Sequence, residues 1–174
     1  MQIDQKLIYN QEKMTLLLHA TVSTESMQNI KKYAIHYQLI PKTEFHITII
    51  GYAIGKKIQE IFSQKNEEEI RDVSKKIQII ANSFTWQYTI LPENFYLTKT
   101  YGSGEVRQSI IALVDLPDLK PFYGELESLF ECSFTVPFPH VTIFTQSTES
   151  ENIHSGIGIY SIEEFNTLSP KKLV

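Results

Sequence analysis

The chain has 174 residues, 42% hydrophobic and 21% charged, and a formal net charge of −4. That length suits one domain, or two small lobes sharing a core, and the composition is that of a folded chain. The acidic balance argues against a protein that grips long DNA or RNA, because such proteins present a basic face. The lysine pairs at 31–32, 56–57, 75–76 and 171–172 are scattered. No apolar run approaches the roughly 20 residues of a membrane span. The opening MQIDQKLIYNQEK lacks the basic start and apolar stretch of a signal peptide. A cytoplasmic, monomeric protein without a membrane partner is expected. The single cysteine, Cys132, excludes an intrachain disulfide and reads as a small buried residue in a reducing compartment.

In chain order, TLLLHATV (15–22) is an apolar, β-branched run that predicts a buried strand. Ser23 or Thr24 then caps a helix to about Leu39, with Met27, Ile30, Ala34 and Tyr37 at helical spacing, and Pro41 ends it. FHITIIGY (45–52) predicts a strand, and residues 53–66 read as a loop or irregular segment. An amphipathic helix is predicted from about Glu67 to Asn82, with Ile70, Val73, Ile77 and Ile80 on one face. FTWQYTIL (84–91) and NFYLTKTY (94–101) flank Pro-Glu and predict a hairpin, followed by a turn at GSG (102–104). VRQSIIALVDL (106–116) predicts a strand. Pro117 and Asp118 open a helix to about Glu131, with Leu119, Phe122, Leu126, Leu129 and Phe130 facing inward. CSFTVPF leads into the strand PHVTIFT. A polar loop (146–155), a short strand GIGIYS and a last helix IEEFNTL follow. With no linker in sight, residues 1–174 read as one domain.

One arrangement repeats. A strand, a helix and a strand bearing His-X-Thr occur twice, and the interval from Thr15 to His46 equals that from Ser109 to His140. The repeat suggests two half-folds about a pseudo-twofold axis. Side chains two apart in a strand share a face. His46, Thr48 and Ile50 therefore share one face, and His140, Thr142 and Phe144 share the corresponding one. Each histidine stands about 7 Å from its threonine along the strand.

Two imidazoles and two hydroxyls suit phosphoester cleavage by general acid–base chemistry. With an ordinary pKa of about 6.5, one imidazole can be neutral while its twin is protonated. The neutral one removes a proton from water or a sugar hydroxyl, and the charged one protonates the leaving oxygen. The threonine hydroxyls donate to the non-bridging oxygens. A bell-shaped rate centred between about pH 6 and 8 is expected. Neither strand carries a carboxylate beside its histidine on that face, so neither a metal nor another cofactor is expected. His19-Ala20-Thr21 is a third His-X-Thr, but on the first strand of its unit, where it reads as a buried structural histidine or a wall of the cleft. His36 and His154 read as surface residues.

HITI (46–49) and HVTI (140–143), with Gly51 after the first and Pro139 before the second, resemble the paired motifs of the two-histidine (2H) phosphoesterase superfamily. The resemblance covers roughly residues 14–145. It implies the LigT-like fold, bilobal α+β with two antiparallel sheets forming a V-shaped cleft and helices outside. It also implies a metal-independent hydrolase or transferase acting on cyclic phosphates or on 2′–5′ or 3′–5′ linkages. Carried over by position, His46 and His140 become the acid/base pair, and Thr48 and Thr142 the phosphate clamps. Some members that open RNA 2′,3′-cyclic phosphates carry extra basic residues near the cleft; here Lys99 and Arg107 are the candidates, with His19, Tyr9 and Tyr101 as further cleft-lining residues. The segment HSGIGIYSIEEF has no place in that pattern.

The expected substrate is a small nucleotide, either a cyclic di- or oligonucleotide signal or a 2′,3′-cyclic phosphate. Tyr9, Trp86, Phe95, Tyr96 and Tyr101 are the aromatic supply for base stacking. The alternatives are RNA-end processing of the cyclic phosphodiesterase or 2′–5′ ligase type, and a non-catalytic nucleotide-binding module.

Overall fold

A computed structural model describes residues 6–62 and 66–174. Its strands are β1 (Leu7–Asn10), β2 (Thr15–Ala20), β3 (Ile40–Pro41), β4 (Phe45–Ile50), β5 (Thr89–Thr100), β6 (Val106–Asp115), β7 (His140–Ser147) and β8 (Lys171–Leu173). Its helices are α1 (Thr24–His36), α2 (Tyr52–Ile61), α3 (Glu67–Asn82), α4 (Leu119–Phe130) and α5 (Ile162–Thr167). The fold is mixed α/β with an antiparallel sheet of eight strands, in the order β1-β2-β4-β7-β6-β5-β8 with β3 also on β7. Where the resemblance implies two sheets, hydrogen bonding thus runs through one. Among the described residues, the couple joining β4 to β7 is Ile47 with Val141. The join is short because β3 takes the next stretch of β7, pairing Ile40 with Thr145 and Pro41 with Phe144. No described helix is long and apolar enough to cross a membrane.

The chain divides into two compact units. The first holds, of the described residues, 6–18, 48–62, 66–88 and 116–137. Its helix α3 starts in a capping box: the Asn66 side chain accepts from the Glu69 amide, and the Glu69 carboxylate accepts from the Asn66 amide. Two orphan donors are satisfied reciprocally, which marks the helix start in the sequence as sharply as any apolar pattern. Its aromatic core is Trp86 and Phe84 set edge-on against Phe122 of α4. The Trp86 indole donates to the Ala81 carbonyl at 2.7 Å, and the Asp118 carboxylate accepts from the Trp86 amide at 2.7 Å. Those bonds hold Trp86 in the left-handed region, φ 55°, so residues 84–88 form no strand and the predicted hairpin is absent. Instead β5 is a single strand whose register against β6 slips between Ile90 and Asn94. Pro92 has no amide to give the ladder, and an irregularity absorbs it.

Residues 53–66 were expected to be irregular, but α2 fills Tyr52–Ile61; residues 63–65 lie outside the described ones. The helix escapes sequence rules because Gly51 supplies no capping side chain and Gly55 sits in its interior. Gly55 is there for close approach. A Cβ built on it would stand 2.3 Å from the Lys13 carbonyl oxygen and 2.8 Å from that of Met14.

The second unit holds residues 19–47, 89–115 and 138–174. Its helix α1 is capped by Ser23, whose hydroxyl accepts from the Ser26 amide. Strands β6 and β7 form its centre, and Leu97, Ile111, Ile157, Ile159 and Phe165 make a buried apolar cluster. The strands β1, β3 and β8 were not expected. Each is four residues or fewer, too short for a period-2 pattern to declare itself.

Gly→Ala inside a helix normally stabilises by about 1 kcal/mol. At Gly55 the sign is expected to reverse, because the new methyl group meets fixed backbone, with a loss of about 1–3 kcal/mol. Urea denaturation of Gly55→Ala reads this directly, and an unchanged or raised midpoint would contradict the close approach.

Candidate active site

Paired residues of an antiparallel ladder point to the same face, and neighbours along a strand to opposite faces. Ile47 pairs with Val141, and both are fully buried. His46 and His140 therefore share the opposite face of the sheet, and the register sets His46 across from Thr142, with Cβ atoms about 5 Å apart. Thr48 lies two residues beyond His46 on the same strand face and is half-buried. Both histidines and Thr142 are half-buried as well.

The β7 face differs from the expected one beyond Thr142. Thr142 pairs with Ile111 and Phe144 with Ile110, so Ile143 is the extra residue of a bulge. The bulge turns Phe144 away from His140. It lines instead, with Ala34, Leu39 and Pro41, a cavity of about 360 Å³ beside α1. It also brings Thr145, which pairs with Ser109, onto the face of Thr142. The Ile143 carbonyl accepts from the Lys42 amide at 2.9 Å.

Residues 154–159, within the stretch that had no place in the motif pattern, lie against this face. They were expected as a loop end and a short strand, but they pair with no strand. Five of their six successive carbonyls accept hydrogen bonds from other residues of the second unit. The donors are Lys42 Nζ to His154 (2.6 Å), Thr145 to Ser155 (2.8 Å), Arg107 to Gly156 (3.3 Å), Lys99 Nζ to Gly158 (3.1 Å) and the Phe138 amide to Ile159 (3.3 Å). At Ile157 the carbonyl faces His140 Nε2 at 3.2 Å. Side chains and the Phe138 amide satisfy this backbone where a strand would use a ladder. Ile157 and Ile159 anchor it in the apolar cluster. Gly156 must be glycine, since a Cβ there would stand 2.5 Å from Thr142 Oγ1.

His140 has a carbonyl at each ring nitrogen, that of Phe138 at Nδ1 (2.8 Å) and that of Ile157 at Nε2. A neutral imidazole has one N–H and can donate to only one of them; the imidazolium donates to both. Burial still pushes its pKa below the ordinary value, outweighing the two carbonyls and the Glu164 charge, which pull it up. His46 is lowered too, by burial first and then by the Lys42 and His140 charges; Glu44 opposes this and His19 adds to it. Both rings thus favour the neutral form at neutral pH.

The other expected site residues divide. His19 is exposed, not a buried structural histidine, and near enough for its charge to reach His46. Lys99, Tyr101 and Arg107 come together, both cations over the Tyr101 ring and both bonded to residues 156–158. They are not free basic groups, because Lys99 pairs with Glu164 at 2.6 Å and Arg107 with Glu105 at 2.6 Å. Tyr9 belongs to the first unit, where its hydroxyl donates to the Met14 sulfur. Among the aromatic candidates, Trp86 is core, Phe95 is set against Phe165, and Tyr96 stacks on Tyr37 with centroids 3.8 Å apart. Sequence reasoning missed Lys42 and Thr145. Lys42, between β3 and the motif strand, carried no signal, and Thr145 reaches the site through a bulge. Comparison with protein-family models, curated proteins and solved structures returns no match to this chain.

The lowered histidines make stability depend on pH. Between their folded values and the unfolded value of about 6.5, the unfolded chain binds more protons, so stability rises with pH in that window. It is present above about 6.5 and is lost as pH falls through the folded values. The melting temperature is expected to fall from pH 7 to pH 5, and His46→Gln should flatten that slope. An equal slope in wild type and variant would show that His46 is not held neutral by the fold.

Proposed function

We propose that this chain is a metal-independent phosphodiesterase acting on a small nucleotide, a cyclic di- or oligonucleotide or a 2′,3′-cyclic phosphate, in the manner of the two-histidine phosphoesterases. One observation carries the reading: the centres of the two His-X-Thr tripeptides pair with each other, Ile47 with Val141, so two histidines and a threonine of the motifs turn to one face of one sheet. In this reading the sheet consists of two antiparallel halves, β1-β2-β4 and β7-β6-β5-β8, meeting at that couple, as the LigT-like fold has two sheets.

His46, beside the Lys42 ammonium, is neutral and takes the proton from water or a sugar hydroxyl. His140, with an acceptor at each nitrogen, carries the second proton. It gives the Nε2 proton to the leaving oxygen, which takes the place of the Ile157 carbonyl, while the Phe138 carbonyl keeps the ring oriented. Thr142 donates to the non-bridging oxygens, where charge accumulates. A second reading, a nucleotide-binding module without turnover, is favoured by one feature: His140 already has a backbone partner at both nitrogens.

Chromatography of cyclic mononucleotides, cyclic dinucleotides and RNA ending in a 2′,3′-cyclic phosphate, each incubated with the protein in EDTA, separates the two. Turnover of one class is expected to persist in chelator. His46→Ala and His140→Ala should each lose roughly 10²–10⁴-fold, and Thr142→Ala less. Binding without product would favour the module. Activity lost in EDTA and restored by a divalent ion would end the metal-free reading.

The pH profile follows from the two lowered histidines. The productive form holds one proton on the pair, and its apparent pKa values belong to the pair. The maximum of kcat/KM is expected below about pH 6.5, on the acid side of the range the sequence suggests. The kcat profile should lie at higher pH than that of kcat/KM, because a bound phosphate favours the imidazolium. A kcat/KM maximum above pH 8 would contradict the neutral histidines.

A further inference from the structure

We infer that Lys42 is a phosphate-binding residue of this site, docking an anionic oxygen of the ligand beside His46 and Thr142. The inference rests on the phosphate-ester reading above and assigns the group that supplies positive charge to it. Three cations reach residues 154–158, and among the described residues Lys42 is the one of the three without a carboxylate partner. Lys99 is neutralised by Glu164 and Arg107 by the two oxygens of Glu105. Lys42 forms no ion pair among the described residues. Of its three ammonium donors, one goes to the His154 carbonyl at 2.6 Å, and no acceptor for the other two is found among the described residues.

Its position is held from both ends. The Lys42 amide donates to Ile143 at the bulge, one residue from Thr142, and Nζ is tied to the segment that covers His140. His46 follows four residues later along the same side of β7, since β3 and β4 both pair with that strand. The Lys42 charge is felt at His46, where Glu44 opposes it and His140 and His19 reinforce it. Burial draws the Lys42 ammonium below the ordinary lysine value, with Glu44 pulling the other way. A half-buried, incompletely bonded ammonium gains most from an anionic oxygen, and lysine meets phosphate in this way, as a point charge.

The test titrates inorganic phosphate and a nucleoside 3′-monophosphate into wild type, Lys42→Met and Lys42→Arg, following the His46 ring signals by NMR, with turnover assayed in parallel. Phosphate should move the His46 signals, with affinity lowered on the order of 10- to 100-fold in Lys42→Met and largely restored in Lys42→Arg. The His46 pKa should rise in Lys42→Met, because a neighbouring cation has gone. Wild-type binding without turnover on any substrate, still weakened in Lys42→Met, would support the phosphate site while the phosphodiesterase reading failed. Equal phosphate affinity and equal KM in wild type and Lys42→Met, with turnover intact and the fold confirmed by an unchanged melting temperature, would overturn the role of Lys42 and leave the enzyme reading standing. Loss of affinity in Lys42→Met that Lys42→Arg fails to restore, together with a lowered melting temperature, would overturn it as well and assign Lys42 to holding residues 154–159.

Discussion

The pairing of Ile47 with Val141 is the contact on which the site depends. Both side chains are fully buried, so neither strand can slip by one residue without turning an isoleucine or a valine to the other face. A slip of that kind would move every histidine and threonine of the motifs with it. The apolar residues at the centres of the two motifs therefore do the positioning, and the polar residues beside them are carried along. A sheet can hold polar groups about 5 Å apart in this way without any bond between them, because the core sets the register and the pleat sets the face.

The second constraint is the covering segment at 154–159. Its backbone lies where strand pairing is absent, so its carbonyls need other donors. The second unit supplies five of the six from Lys42, Lys99, Arg107, Thr145 and the Phe138 amide, and the sixth, that of Ile157, faces His140 Nε2. The same side chains would serve an anionic ligand, and the difference among them lies in what else each holds. Lys99 and Arg107 have carboxylates against them, which makes them part of the scaffold. Lys42 does not. His140 has a backbone carbonyl at each ring nitrogen, that of Phe138 and that of Ile157.

Electrostatics and packing pull in the same direction at His46. Burial removes water from the ring, and the cation at Lys42 adds to the cost of protonating it. Two independent causes, burial and a neighbouring cation, thus keep the ring neutral at neutral pH. At His140 the causes oppose each other, burial against two carbonyls and the Glu164 charge. The two imidazoles, alike in their tripeptides, are thus made unlike by their surroundings.

Local chemistry was enough for several elements. The capped helices at Thr24–His36 and Glu67–Asn82 declare themselves through Ser23 and Asn66 and a regular apolar stripe, and the motif strands through β-branched residues around a single histidine. The shared face of His46 and His140 also followed from period-2 alternation once the strands were placed. What local pattern could not decide was everything set by a partner distant in the chain. The helix at Tyr52–Ile61 depends on Gly55 lying against the Lys13 carbonyl, and Trp86 leaves the strand because Asp118 and Ala81 hold it elsewhere. The bulge at Ile143, which removes Phe144 from the site and admits Thr145, exists only in the register with β6. Lys42 became visible as a site residue, and Lys99 and Arg107 ceased to be free ones, through hydrogen bonds and ion pairs that span dozens of positions or turn on a single neighbouring carboxylate. Residue type and spacing determine which groups a strand can present; which of those groups keep an open donor is decided by the packing of segments that meet only in the folded chain.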